Sequence, residues 1–427
     1  MQIKKEQLTP TKLKLTLSAE QAMMDEVKHH VLQDLVKKVK IAGFREGKAP
    51  LSMVEKNVDS SLLQSEFLDH AVNRLYSEAV TQDRLRPIDN PQVSVTKFVP
   101  FSELEITAEV DVVGDIKLPD YKKIKLAKPT VKVVAGDVDG VVESLQTRMA
   151  EKKDVTRAAK LGDEATIDFK GTDAKTKDPI SGADGTDYPL VLGSDSFIPG
   201  FEAELIGLKA GEDKTFTTTF PKDYSVKALQ SREVTFAVTV KKVQELTKPK
   251  LDDALAAKVG PFKTVAELKA DIKTQVTAER QQEADRQFES DLLESIAKKT
   301  KAAIPPALID EEVERQLGQL KQNLMYRGQT WQEFLEGEKK TEEEYRDSLK
   351  PVAELRVTAG LAISDIAEAE GITVTTDEID IRLQLLKGQY QDPAMQAELD
   401  KIETRREIAQ RILSEKTIAK LTEYATK

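Results

Sequence analysis

The feature that most constrains the fold is a change of periodicity partway along the chain. Residues 160–245 are rich in Gly, Thr and Val, with strand-like runs at 165–171, 188–192, 214–220 and 233–243. Turn signals such as Lys209-Ala210-Gly211-Glu212 separate these runs, and one short helix is expected near 200–208. From Pro249 onward, apolar residues recur at helical spacing almost to the end. A β-rich unit between helical segments predicts a small antiparallel sheet inserted into a helical domain.

The stretch before it reads as a separate α+β unit. Residues 11–17 alternate apolar and polar and predict a half-buried strand. Ser18, with Gln21 three residues on, is expected to cap a helix whose buried face is Met23, Val27, Val31, Leu35 and Val39. Ser52 is expected to cap the next helical region, which Leu63, Phe67, Ala71 and Leu75 carry toward Pro87. Strands follow at 92–99 and 103–113, the second with Leu104, Ile106, Ala108, Val110 and Val112 on one face. Residues 128–157 read as a connector. Its helix runs through Val138, Val141, Val142, Leu145 and Met149 and is expected to close at Lys152 and Lys153.

Between the first two helices stands Gly43-Phe44-Arg45-Glu46-Gly47-Lys48-Ala49-Pro50. Two glycines and a proline stop the helix and force a tight turn. The turn displays an aromatic ring, a guanidinium and an ammonium. That set suits docking on a polar, anionic surface, with Phe44 as the apolar anchor and Arg45 and Lys48 as the charges.

This turn resembles the signature Gly-Phe-Arg-x-Gly-Lys-x-Pro of the trigger factor family of ribosome-associated bacterial chaperones, and the resemblance runs through nearly the whole chain. It implies a tip, Gly43 to Lys48, that docks on a ribosomal protein and RNA beside the nascent-chain exit. The resemblance implies that Phe44, Arg45 and Glu46 are the docking residues. The family usually has a basic residue where this chain has Glu46, so one attraction to phosphate becomes a repulsion. Net charge is -10, so contact with RNA is expected to be local, and DNA is not an expected partner.

A second resemblance covers the insert. Ile167-Asp168-Phe169-Lys170-Gly171, Leu192-Gly193, Phe197-Ile198-Pro199-Gly200-Phe201-Glu202, Leu208-Lys209-Ala210-Gly211-Glu212 and Phe220-Pro221 occur in that order. Together they resemble an FKBP-type peptidyl-prolyl isomerase domain. The resemblance implies that Phe201 floors a pocket walled by Phe169, Tyr188, Phe197, Ile198 and Phe236. The Ile198 N–H would hold the substrate carbonyl, and Tyr224 would lie in the overhanging segment. The family usually has an acidic side chain where this chain has Ser181. Such a site needs no nucleophile, metal or cofactor. An X–Pro bond resists rotation by roughly 18–20 kcal/mol because twisting breaks amide resonance, and a dry pocket favours the less polar twisted state.

The helical remainder resembles the carboxy-terminal domain of trigger factor, implying a body with two protruding arms and a cradle for unfolded chains. Met325, Tyr326, Trp331, Phe334, Tyr390 and Met395 flank helix breaks and are candidate client contacts; packing between helices is the stronger reading for any one of them, and only some are expected to belong to the cradle. The acidic runs Asp310-Glu311-Glu312 and Glu342-Glu343-Glu344 are expected to stabilise helix N-termini. Lys298-Lys299-Thr300-Lys301 is expected to be a solvated helix end.

Other signals point away from further chemistry. There is no cysteine, hence no disulfide or thiol chemistry, in keeping with a reducing cytoplasm. No apolar run reaches the roughly 18 residues of a membrane span, and the N-terminus lacks an apolar export region. His29, His30 and His70 do not read as a metal site, since adjacent helical residues point about 100° apart. No phosphate-binding Gly-x-x-x-x-Gly-Lys-Ser/Thr loop is present, so no nucleotide cycle is expected.

The expected protein is a multidomain α+β chain. It comprises an N-terminal α+β ribosome-docking domain (1–127), a connector (128–157), an inserted FKBP-like antiparallel β domain (158–246) and a helical C-terminal chaperone domain with arms (247–427). It is expected to be a cytoplasmic, ATP-independent chaperone for nascent and unfolded polypeptides that isomerises prolyl bonds, with a homodimer left open. The alternatives are a soluble prolyl isomerase whose other domains only localise it, or a ribosome-free assembly chaperone with weak or lost isomerase activity.

Overall fold

A computed structural model describes residues 1–39, 44–45, 48–224, 229–389 and 392–427, and at Ser181 the backbone alone. These form two compact units, one of Met1–Ala127, Glu289–Gln322 and Arg346–Lys427, the other of Lys128–Phe288 and Asn323–Tyr345. No described helix is long and apolar enough to cross a membrane.

The chain begins with β1 (Gln2–Thr9), β2 (Lys12–Ser18), α1 (Gln21–Lys38), α2 (Leu51–Asn57), α3 (Ser60–Gln82), β3 (Gln92–Val99) and β4 (Glu103–Asp111). The strands form one antiparallel sheet in the order β1-β2-β4-β3. Leu13, Leu15 and Leu17 of β2 and Leu104, Ile106, Ala108 and Val110 of β4 share a core with Val27, Val31, Leu35, Phe67, Ala71 and Leu75 of the helices. Alternation and helical spacing thus meet on one buried face.

The helix starts differ from the sequence reading. Ser18 is the last residue of β2, paired with Glu105, and Glu20 precedes α1 without a side-chain cap. Strand register decides Ser18. Ser52 lies inside α2, which opens at Pro50, and a separate cap, Asp59, opens α3 by accepting the N–H groups of Ser61 and Leu62 at 2.7 and 3.3 Å. Val39 is only partly buried and caps α1.

The second unit carries α4 (Ala135–Arg148), β6 (Glu151–Asp154), β7 (Glu164–Asp173), β8 (Pro179–Val191), α5 (Phe201–Leu205), β9 (Asp213–Thr219) and β10 (Glu233–Thr247), following the short β5 (Ile116–Lys117) of the first. Sheet order is β6-β10-β7-β8, with β9 on β10, all antiparallel. Lys152 and Lys153 do not close α4. They sit in β6, opposite Leu246 and Glu245, because β10 runs on far enough to pair with them. Two further helices, α6 (Asp253–Val259) and α7 (Val265–Lys299), come next. Arg280 of α7 forks onto the Asp137 carboxylate of α4 at 2.7 and 2.9 Å.

The chain then forms β11 (Lys301–Ala302), α8 (Pro306–Tyr326), α9 (Trp331–Glu338), α10 (Glu342–Ala369), α11 (Thr376–Lys387), α12 (Pro393–Leu399) and α13 (Ile402–Thr426). Lys301 is not a solvated helix end, since it pairs with Lys117 of β5. Asp310 to Glu312 lie past the first turn of α8, where Glu312 binds Arg315 at 2.7 Å. Glu342 to Glu344 do occupy the first turn of α10. There Glu344 accepts the N–H of Thr341 at 2.8 Å, which holds its carboxyl below the usual range.

Far-separated segments of the first unit meet at Glu370. Its carboxylate accepts the hydroxyls of Tyr121 and Tyr424, both at 2.7 Å, and pairs with Lys122 at 2.8 Å. These partners pull the Glu370 pKa down to about 2, Lys122 contributing most. Burial, with the carboxylate beside it, pushes Tyr121 up to about 12. Close by, the Leu126 N–H meets the carbonyl of Ala425 and Lys125 Nζ that of Tyr424.

Candidate functional site

Strand register brings the aromatic residues of the insert together. Phe169 on β7 and Phe236 on β10 point into the same core, which Phe201, the first residue of α5, enters from the side. Phe201 is fully buried. Its ring lies 5.1 Å from Phe236 and 6.1 Å from Phe169, each nearly edge-on, a favoured arrangement for aromatic pairs. Phe197 covers it, with centroids 4.0 Å apart and planes at 31°. Tyr188 forms the outer rim, 39% exposed, and meets Phe169 and Phe197 edge-on at 5.8 and 5.9 Å. Ile198 is buried, and its N–H makes no hydrogen bond among the described residues. Tyr224 stacks edge-on against Phe220 at 4.7 Å. The Ser181 side chain lies outside the described residues.

Three contributors escaped the sequence reading. Phe216 sits directly opposite Phe236 in the β9–β10 register and 5.1 Å from Phe201; the alternation of β9 carried that signal. Gly185 leaves room for the Phe169 ring, since a β-carbon there would come within 2.6 Å of it. Glu202 stands in the motif Phe197-Ile198-Pro199-Gly200-Phe201-Glu202 with no role that local sequence assigns. It is buried, and its carboxylate accepts the N–H groups of Gly193, Asp195 and Phe197 at 2.7, 3.3 and 3.2 Å, and the Ser194 hydroxyl at 3.3 Å. One side chain thereby shapes the loop that delivers Phe197 and Ile198. Gly200, with φ of +87°, supplies the left-handed turn just before Phe201.

At the tip between α1 and α2, Phe44 and Arg45 are both exposed, as is Lys48, whose N–H closes a turn onto the Arg45 carbonyl at 2.9 Å. Gly43, Glu46 and Gly47 lie outside the described residues. Lys37 and Lys38 end α1 with further positive charge.

The client candidates divide. Met325 and Tyr326, at the end of α8, are 72% and 79% exposed. Trp331 and Phe334 instead stack at 5.5 Å and meet Tyr345 edge-on at 5.7 and 5.3 Å, all three partly buried. Met395 is exposed, and Tyr390 lies outside the described residues. Among the described residues no group of three His, Asp or Glu side chains is placed to hold a metal ion.

Comparison with known proteins matches three stretches of the chain. Residues 1–145 match the family model described as bacterial trigger factor protein, and residues 264–423 the one described as its C-terminus. Residues 155–241 match that of FKBP-type peptidyl-prolyl cis-trans isomerase. The chain is 34% identical over 428 residues to the trigger factor of Carboxydothermus hydrogenoformans, an alignment covering 100% of this chain and 99% of that one. It is 34% identical over 381 residues to the trigger factor of Lysinibacillus sphaericus, covering 88% of each. A solved structure described as "Promiscuous Substrate Recognition in Folding and Assembly Activities of the Trigger Factor Chaperone" aligns over 99% of both chains, with a TM-score of 0.48 and 19% identity.

Proposed function

This chain belongs to the bacterial trigger factor family, and from that premise we propose that it is a cytoplasmic, ATP-independent chaperone. It docks at the ribosomal exit, shields emerging polypeptides and isomerises their X–Pro bonds. The observation that carries docking is the exposed pair Phe44 and Arg45 on a turn between two helices. An aromatic ring left in water beside a guanidinium is a poor core element and a good anchor. Gly43, Glu46, Gly47 and Lys48 complete the tip. Co-sedimentation of the intact chain with ribosomes at low salt tests this: Phe44→Ala with Arg45→Ala abolishes pelleting, and unchanged pelleting overturns docking.

In the insert, Phe201 is the floor and Phe169, Tyr188 and Phe236 the walls of a prolyl pocket, over which the Phe197 ring lies. The proline ring displaces the Phe197 ring that lies over Phe201, and the N–H of Ile198, unbonded among the described residues, takes the carbonyl of the preceding residue. Water is excluded from the amide, so the twisted state loses less by desolvation than the planar one. No proton moves. The oriented rings and one backbone donor do the work, and Glu202 holds that donor in place.

Client contacts fall to Met325 and Tyr326, dispersed apolar groups on a charged surface, where weak multi-site binding permits release. Trp331 and Phe334 support that region through Tyr345. Deleting 158–246 separates this reading from a simple isomerase. The shortened chain still suppresses aggregation of a refolding protein if the helical body is the chaperone.

A further inference from the structure

The first sheet ends in two unlike edges. At one, β1 carries Lys4, Lys5 and Glu6, and charges along an edge guard it against pairing with another chain. At the other, β3 reads Gln-Val-Ser-Val-Thr-Lys-Phe-Val and, among the described residues, pairs with β4 alone. Its one charge, Lys97, is drawn back onto Glu103 of β4 at 2.6 Å. Val93 and Val95 stand opposite Ala108 and Ile106 in the register. Those β4 partners are fully buried, whereas the two valines are 37% and 44% exposed. The apolar face therefore continues past the cover that the helices give β4.

An open strand edge presents alternating N–H and C=O groups, which an extended polypeptide backbone can match residue after residue. We propose that β3 is a strand-addition site for an extended, uncharged, β-branched stretch of unfolded polypeptide. The added strand lies along residues 92–95, because the register shift between Val95 and Lys97 breaks the edge beyond them. Backbone pairing gives affinity without regard to sequence, and Val93 and Val95 receive apolar side chains at two-residue spacing. Charge selects the occupant. The edge is neutral once Glu103 holds Lys97, so it fits an uncharged segment. A second copy of this chain is the rival occupant. The inference rests on the chaperone reading and adds a docking mode to it.

The test uses the intact chain and a synthetic peptide of alternating Val and Thr, with a control peptide N-methylated at alternate residues. Hydrogen exchange reads the amides of 92–95 locally. The expected result is about tenfold slower exchange with the plain peptide, no change with the methylated one, and loss of the effect in Val93→Lys with Val95→Lys. Both substitutions fall on exposed positions, and an unchanged circular dichroism spectrum and Tm confirm the fold. Absence of local protection overturns the proposal, as does equal protection by the methylated peptide or by the variant. A concentration-dependent dimer that the variant abolishes also overturns it, by naming a second copy as occupant. Aggregation suppression by the intact chain, run alongside, separates the two failures: suppression without protection at β3 sinks this inference alone, and no suppression sinks the chaperone reading.

Discussion

The ring of Phe197 lies over that of Phe201, centroids 4.0 Å apart. The residue expected to wall a prolyl pocket therefore covers its expected floor, and under the proposed function a proline ring must displace it. Phe197→Ala is expected to lower KM for a prolyl tetrapeptide about threefold, by removing the competing ring, with little change in kcat. Phe201→Ala removes a fully buried aromatic and is expected to cost about 3–5 kcal/mol of domain stability and to abolish turnover. Protease-coupled assays and denaturant melts read both. A higher KM in Phe197→Ala would make that ring a wall.

Glu202 connects folding to the site. Glu202→Gln keeps the shape but turns an amide NH2 toward donors that need an acceptor. Losing charge-assisted bonds of this kind costs about 1.5–3 kcal/mol. The expected result is a lower Tm and a kcat/KM reduced about tenfold, while Glu202→Asp restores part of both. A wild-type kcat/KM in Glu202→Gln would show that the loop holds without it.

Glu46 faces the opposite demand. Where the family usually carries a basic residue, this chain has a carboxylate, so Glu46→Lys is expected to tighten ribosome binding. The gain should shrink as salt rises, with the slope of log K against log salt steeper by roughly one. Quantitative pelleting across a salt series measures it, and an unchanged slope would place residue 46 away from phosphate.

The junction at Glu370 sets a pH dependence. Its folded-state pKa lies at about 2, below the ordinary 4.5, so the stabilisation is present above pH 4.5 and is lost as pH falls toward 2. Tyr121 has the opposite sign. Raised to about 12 from an ordinary 10.0, it contributes stability that is complete below pH 10 and lost as pH climbs through 12. Glu370→Gln is expected to flatten the acid limb of a Tm–pH profile; an unaltered limb would assign it to other carboxylates.

Much of this was legible in the residues because periodicity and burial coincide. Leu13, Leu15 and Leu17 alternate into the core, and the strand reading at 92–99 matches the observed β3. Caps were harder to read. Ser18 carries the chemistry of a helix start, yet pairing with Glu105 holds it in β2. Lys152 and Lys153 look like a helix end until β10, nearly a hundred residues away, pairs with them. In the site, the aromatic set followed from its motifs. The cover that Phe197 places on Phe201 and the four donors gathered by Glu202 depend on a loop path that local sequence does not encode.

Lys125 reaches the carbonyl of Tyr424, 299 positions further along, and Tyr121 waits for the same helix. A copy still being translated therefore cannot seat the strip that leaves its first sheet. The Leu126 N–H likewise lacks its partner, the carbonyl of Ala425, until the last turns of α13 have emerged. A member of a chaperone family is thus itself an unfinished chain for almost its entire synthesis, with the strip that leaves its first sheet unseated until the end.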